Sequence, residues 1–85
     1  MKEIKVNRIK DVLEQKGATN NDLVRHLNVK KETVSRWVNN KQQPTVNTLN
    51  DIAEYLRVDI RDLLYPSNWK DSTIRPFEKE KNKKK

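Results

Sequence analysis

Two short helical segments, residues 19–28 and 30–39, are separated by so few residues that their relative orientation is nearly fixed. Thr19 with Asp22 three positions later is close to a capping box, with Asp in place of the usual Glu, and predicts where the first segment begins. Asn28 tolerates the left-handed conformation that ends it. So short a connection forces a steep crossing angle. This is the geometry of a helix-turn-helix, whose second helix is free to enter a DNA major groove.

The spacing of apolar residues predicts five helical segments between residues 4 and 65. The first includes Val6 and ends at Gly17, the fourth begins at Thr45, and a short fifth begins at Asp59. The apolar residues expected on the inner faces are Ile9, Val12, Leu13, Leu23, Val24, Leu27, Val34, Trp37, Val38, Leu49, Ile52, Ala53, Leu56, Ile60, Leu63 and Leu64.

Composition agrees with a single small helical domain. The 85 residues suffice for one domain, and the absence of cysteine excludes disulfides and thiolate zinc sites. One glycine and three prolines argue against a sandwich or barrel rich in tight turns. The prediction is an all-α, compact five-helix domain over residues 1–66, closed by Pro66 and followed by a basic tail, residues 67–85. No apolar run approaches the roughly 20 residues needed to cross a bilayer, so no membrane partner is expected.

Positive charge points to a polyanionic partner. The formal net charge is +7, with 19 Lys and Arg against 12 Asp and Glu. Residues 1–66 carry a net charge of +3 and residues 67–85 carry +4, so much of the excess belongs to the tail. Its last part, Glu78–Lys85, is expected to be disordered, either as a solvated end or as a nonspecific contact to phosphates. Trp69, Ile74 and Phe77 are expected to fold back on the domain or to pack on a second subunit.

The stretch from Ile9 to Leu64 resembles the lambda-repressor-like or Xre (Cro/cI-type) helix-turn-helix family. The matching pieces are RIKDVLEQKG at 8–17, TNNDLVRHLNV at 19–29, TVSRWVNNKQQP at 33–44 and TLNDIAEYLRVDIRDLL at 48–64. The resemblance implies a lambda-repressor-like fold with the helix-turn-helix at residues 19–39. It also implies binding to double-stranded DNA and a bacterial or phage origin.

The resemblance assigns roles to individual residues. Asn20 stands where the family usually has a phosphate-contacting Gln. The positions that read bases fall on Lys31, Glu32, Thr33, Ser35 and Arg36. The expected phosphate-binding residues are Asn20, Lys30, Asn39, Asn40 and Lys41.

Side-chain chemistry supports part of this assignment independently. Lys30 and Lys31 lie at a helix N-terminus, where the helix dipole is positive. Each positive charge placed there is unfavourable by about 0.3–1 kcal/mol. Such a placement makes sense if a phosphate or a guanine edge meets them. Arg36 is suited to bidentate contact with guanine, and Glu32 can accept from a cytosine amino group or pair with Arg36 on its own helix.

Other chemistries have little support in the sequence. The spacing of Trp37 with Val34 and Val38 favours core packing over base stacking. His26 has no cysteine and no second histidine with which to form a metal site. There is no glycine-rich phosphate loop and no nucleophile with a plausible histidine partner, so no enzyme activity, cofactor or metal is predicted.

The function predicted from the sequence is a transcriptional regulator, a repressor that binds a partly palindromic operator as a homodimer in the bacterial cytoplasm and associates with the nucleoid when bound to DNA. The alternative is the antitoxin half of a toxin–antitoxin pair, with the tail binding a protein partner. RNA binding through the tail is a weaker option, because an exposed aromatic platform is missing. The residues expected at the dimer interface are Leu63, Leu64, Trp69 and Phe77.

Overall fold

The computed structural model describes residues 5–67, which form four short α-helices and one 3-10 turn. The only extended pairing within these residues is an isolated antiparallel bridge between Asn7 and Leu64. The all-helical prediction is confirmed, but the predicted fifth helical segment is a 3-10 turn rather than an α-helix. The elements are α1 (Ile9–Lys16), α2 (Asn20–Leu27), α3 (Lys31–Val38), α4 (Val46–Leu56) and the 3-10 turn (Ile60–Leu63).

The ends of the first two helices and the start of α4 follow local signals in the sequence. Gly17 ends α1 in the left-handed region with φ of 69°, and Asn28 ends α2 in the same way with φ of 56°. At the start of α2, Thr19 and Asp22 form both hydrogen bonds of a capping box. The Thr45 hydroxyl accepts the backbone N–H of Thr48 at 3.1 Å and caps α4. These predicted caps are confirmed.

The first helix begins later than the apolar spacing predicts. Val6 does not belong to α1 and is 43% exposed, because the chain is still extended where Asn7 pairs with Leu64. The Asn7 carboxamide oxygen then accepts the backbone N–H of Ile9 at 3.1 Å, at the first residue of the helix. A pairing with a distant segment therefore overrides the local helical pattern.

The predicted fifth helix is a single 3-10 turn. Its hydrogen bonds join residues three apart, from Asp62 N–H to the Asp59 carbonyl at 2.8 Å and from Leu64 N–H to the Arg61 carbonyl at 3.2 Å. Hydrogen bonds from the Arg61 side chain and backbone hold the pKa of the Asp59 carboxyl down at about 2. Leu64 then adopts extended backbone, with φ of −124° and ψ of 149°, to form the bridge with Asn7. The chain cannot make that bridge and continue the helix.

One apolar core joins all five elements. Trp37 is 6% exposed, which confirms that it packs in the core. Leu63 is completely buried, so the prediction that it lies on a dimer surface is wrong: its side chain faces the interior of its own domain. Trp69 and Phe77 lie outside the described residues. The buried apolar residues are Ile9, Val12, Leu13, Leu23, Val34, Trp37, Val38, Leu49, Ile52, Ala53, Leu56 and Leu63.

Within residues 5–67, no helix has the length and apolar character required to span a membrane.

Candidate nucleic-acid interface

Helix α3 has one buried face and one exposed face. Val34 is completely buried, and Trp37 and Val38 are nearly so, which fixes the helix on the core. The opposite face carries exposed side chains of Lys31 and Arg36, with Glu32 exposed beside them. Because α2 packs directly against α3, the core positions α3 as the outer element of a helix-turn-helix.

Four of the five predicted base-reading residues come together on this exposed face. A shallow surface depression is lined by Lys31, Glu32, Ser35 and Arg36. Thr33, the fifth, is half-buried between this face and the core side of the helix. The combination offers two cations, one carboxylate and one hydroxyl to a ligand approaching along α3, a set able to read several base edges.

The N-terminus of α3 carries two lysines, and Glu32 is the acidic residue of its first turn. Lys30 is the N-cap residue, and its side chain makes no capping hydrogen bond. Lys30 and Lys31 are both exposed and add their charges to the positive end of the helix dipole. The alternative that Glu32 simply pairs with Arg36 is not realised, since no ion pair joins these two described residues. This end of α3 is therefore electrostatically suited to a bound anion.

Asn20 occupies the first position of α2 and is exposed. The capping box spans this position: Thr19 N–H donates to Asp22 Oδ2 at 2.9 Å, and Arg25 Nη2 donates to Asp22 Oδ1 at 2.7 Å. The hydrogen bond from the Thr19 backbone lowers the pKa of the Asp22 carboxyl, and Arg25 adds to the effect. Asp22 therefore remains ionised as a cap and holds the helix end that carries Asn20.

The loop after α3 contains the other three predicted phosphate-binding residues. The exposed Asn39 side chain donates to the Ser35 carbonyl at 3.0 Å and closes the end of the helix. Lys41 is exposed, and its backbone N–H donates to the Arg36 carbonyl at 2.8 Å. Asn40 has φ of 58°, which an asparagine tolerates better than most residues.

The side chain of Asn40 is engaged inside the protein rather than directed freely to solvent. Its Oδ1 accepts the backbone N–H groups of Val6 at 2.8 Å and Asn7 at 3.0 Å, and Gln43 Nε2 at 3.2 Å. Its Nδ2 donates to the Asn7 carbonyl at 3.0 Å. Only the second hydrogen of Nδ2 is left for a phosphate, so a direct contact from this side chain is more restricted than the sequence suggests.

Sequence reasoning did not identify Asn7 and Gln43 as important. Asn7 is the one buried polar residue among those described, with 1% of its surface exposed. A signal for it was present: Asn is a poor helix former that favours positions just before a helix, and Asn7 lies two residues before α1 begins. Nothing local marks Gln43, because its buried partner, Asn7, lies 36 residues away in the sequence.

The described residues do not bring together a set of metal ligands. Within residues 5–67, no group of three His, Cys, Asp or Glu side chains is placed to hold a metal ion. His26 stacks on Tyr55 with ring centroids 4.1 Å apart and 23° between the planes, so aromatic packing accounts for its position.

Comparisons with known proteins agree with this geometry. A structure from Bacteroides fragilis, of a protein to which DNA binding has been ascribed, is 42% identical with a TM-score of 0.70, and the match covers 73% of this chain and 100% of that one. A transcriptional regulator from Listeria innocua, 21% identical, has a TM-score of 0.61 over 82% of this chain and 70% of its own, and shows the shared fold alone. No curated protein gives a significant match.

The model of the Cro/C1-type helix-turn-helix DNA-binding domain matches residues 8–67. That span includes both helices of the helix-turn-helix, the loop after α3 and the 3-10 turn. It is a family of DNA-binding domains and not of enzymes. The chain therefore belongs to the Cro/C1-type helix-turn-helix DNA-binding family.

Proposed function

We propose that this chain is a transcriptional repressor that binds a partly palindromic operator in double-stranded DNA as a homodimer. The observation that carries the proposal is the two-sided character of α3: Val34 and Trp37 anchor it to the core, while Lys31, Glu32 and Arg36 are exposed together. A helix held in this way can enter a major groove without any rearrangement of the domain.

Base reading is divided among side chains of different chemistry. Arg36 donates two hydrogen bonds to O6 and N7 of a guanine, and Glu32 accepts from a cytosine amino group. Lys31 reads a guanine or a thymine acceptor near the start of the helix, and Thr33 and Ser35 supply shorter contacts beside them. The mixture of cations and a carboxylate favours sequence discrimination, because a surface meant only for phosphates gains nothing from Glu32.

Phosphate contacts set the register of α3 in the groove. Asn20 at the start of α2 and Lys30 at the start of α3 contact the strand on one side of the groove. Asn39, Asn40 and Lys41 contact the backbone at the other end of α3. The N-termini of α2 and α3 favour the contacts of Asn20 and Lys30, since they offer backbone N–H groups and a positive partial charge.

Dimerisation gives the specificity that one short helix lacks. A single α3 of eight residues covers only a few base pairs, so two half-sites about one helical turn apart are needed for a unique operator. Leu64 is half-buried, and together with Trp69 and Phe77 it is our candidate for the dimer surface. Repression needs only occupancy of the operator. The bacterial source of the two structures described above supports action on the bacterial nucleoid in the cytoplasm.

The first test is selection of binding sites from random duplex DNA, followed by titration of the best site and of a scrambled duplex. We expect a motif with two related half-sites, bound about a thousandfold more tightly than the scrambled sequence. Placing the site over a promoter should then reduce transcription in a reconstituted reaction. Recovery of no motif, with weak binding that vanishes as the salt concentration rises, would contradict the proposal and leave only nonspecific contact by the basic tail.

A separate measurement tests the dimer. Replacing Trp69 by Asp should lower the sedimentation coefficient at micromolar concentration and weaken binding to the two-half-site operator by at least about tenfold, while binding to one isolated half-site stays unchanged. Asn68→Asp serves as the control, because it also adds one negative charge next to Trp69. A monomeric wild-type protein that still binds both half-sites independently would contradict the assignment of a dimer.

A further inference from the structure

Both polar atoms of the buried Asn7 side chain have hydrogen-bond partners, and the two partners of its Nδ2 lie 30 and 36 residues away in the sequence. Its Nδ2 donates to the Trp37 carbonyl at 2.9 Å and to Gln43 Oε1 at 2.7 Å, and its Oδ1 accepts the Ile9 backbone N–H. An amide buried without such partners is unfavourable, so removing any one of these bonds is destabilising. Asn7 thus joins the first residue of α1 to the last turn of α3 and to the loop beyond it.

Asn40 completes the arrangement from the loop side. Its carboxamide pairs with both the backbone N–H and the carbonyl of Asn7, at 3.0 Å each, as a neighbouring strand would. Gln43 bridges the two asparagines, because its Oε1 accepts from Asn7 and its Nε2 donates to Asn40. We call Asn7, Asn40 and Gln43 the amide network.

The N-terminal segment that supports this network is anchored on its other side as well. Asn7 bridges to Leu64, Arg8 N–H donates to the Leu63 carbonyl at 2.8 Å, and Tyr65 N–H donates to the Val6 carbonyl at 3.0 Å. Leu63 is fully buried, so this anchor is tied to the core. The loop after α3 is therefore held against a fixed part of the domain that lies outside the helix-turn-helix.

Hydrogen bonds constrain direction, whereas apolar contacts alone constrain mainly distance. The amide network fixes both the last turn of α3, through the Trp37 carbonyl, and the turn at Asn40 with its φ of 58°. Asn39 and Lys41 flank that turn and are exposed. Small displacements of this turn would move both residues relative to a DNA strand.

We infer that Asn7 is a positioning residue for DNA binding. It does not touch DNA; acting through Asn40 and Gln43, it holds the loop after α3 in the conformation that contacts a backbone phosphate. This inference rests on the proposed function, because it assumes that α3 lies in the major groove. A residue that precedes the helix-turn-helix thus affects how tightly the domain binds the phosphate backbone.

The test compares Asn7→Ala and the milder Gln43→Ala with the wild-type protein on the selected operator over a series of salt concentrations. Asn7→Ala should weaken binding about tenfold at each half-site, the effect of losing one hydrogen bond to a charged group. The slope of log K against log salt should become shallower by about 0.9 for each phosphate that the variant no longer neutralises. The relative affinities for operators with single base changes should not move, because the buried Val34 and Trp37 still hold α3, and with it Arg36, on the core.

Leu56→Ala is the matched control, because it removes a buried side chain on α4 that takes no part in the amide network. All variants are compared at a temperature where circular dichroism shows them folded; Gln43 is exposed, so Gln43→Ala decides the question if Asn7→Ala does not fold. A salt slope changed in the network variants and unchanged in Leu56→Ala supports the inference.

Two other results would overturn it, and they differ from failure of the proposed function. Specific binding by the wild-type protein with unchanged salt slopes in the folded network variants refutes the positioning role alone. An equal change of slope in Leu56→Ala also refutes it, because the effect would then reflect general destabilisation. Absence of any sequence preference in the wild-type protein refutes the proposed function, and the positioning role with it.

Discussion

Replacing Arg36 by alanine is expected to weaken binding to the selected operator by at least about 30-fold, because each of the two half-sites loses a bidentate contact with guanine worth roughly 1–3 kcal/mol. Arg36 is exposed on α3 and lines the same depression as Lys31 and Glu32. It makes no ion pair with Glu32, so its guanidinium does not have to leave that carboxylate in order to meet a base. Affinity should be measured by fluorescence anisotropy at one fixed salt concentration.

The loss should be specific to one base pair in each half-site. On the scrambled duplex, Arg36→Ala should differ from the wild-type protein by less than about threefold, because one cation among many phosphate contacts has a small effect. Operators altered at the position read by Arg36 should be bound equally by the variant and the wild-type protein. This pattern separates base reading from simple electrostatic attraction.

Two control variants make the result decisive. Arg36→Lys keeps the charge but lacks the planar fork of donors, so it should lose most of the specificity and retain the nonspecific affinity. Lys16→Ala removes an exposed cation at the C-terminus of α1. It should leave the ratio of affinities for the operator and the scrambled duplex unchanged. If Arg36→Ala weakened binding to the operator and to the scrambled duplex by the same factor, Arg36 would be a phosphate contact and its assigned role would be wrong.

The features that could be predicted from the sequence are those decided within one or two turns of the chain. The Thr19–Asp22 capping box joins residues three apart, and Gly17 and Asn28 end helices through their own backbone preferences. The two-sided character of α3 follows from periodicity alone, which places Trp37 in the core. These signals need no knowledge of the rest of the fold.

The features that escaped prediction all depend on residues that are distant in sequence. Asn7 pairs with Asn40, 33 residues away, and with Leu64 at the other end of the domain. That second pairing removes Val6 from α1 and forces Leu64 into extended backbone. No local pattern encodes such pairings, because they exist only after the helices have packed.

The pairing of Asn7 with Leu64 also explains why the prediction of Leu63 at a dimer surface is wrong. In a regular helix, the side chains of Leu63 and Leu64 would point about 100° apart. The sequence pattern alone therefore does not tell which of the two is buried. In the protein the 3-10 turn ends at Leu63, which is directed into the core, and the extended Leu64 is only half-buried. Because the backbone changes from a 3-10 turn to an extended conformation between them, Leu63 belongs to the core and Leu64 lies partly on the surface.

Leu63→Ala is therefore expected to destabilise the monomer fold rather than to disrupt a dimer contact. Leu63 is 0% exposed, and its removal leaves a cavity among α1, α4 and the 3-10 turn. Truncation of a fully buried leucine lowers the free energy of unfolding by about 2–5 kcal/mol. For a domain of this size that is a large fraction of the total stability, so urea unfolding followed by circular dichroism should show a much lower midpoint.

Leu64→Ala provides the matched comparison, because it removes the same atoms from the adjacent, half-buried position. It should lower the free energy of unfolding by less than half as much as Leu63→Ala, since less of the side chain is withdrawn from water. At protein concentrations and temperatures where both variants are folded, sedimentation should show that Leu63→Ala associates as the wild-type protein does. A Leu63→Ala protein with nearly wild-type stability and lost self-association would instead place this side chain at the subunit interface, and the burial of Leu63 inside its own domain would be wrong.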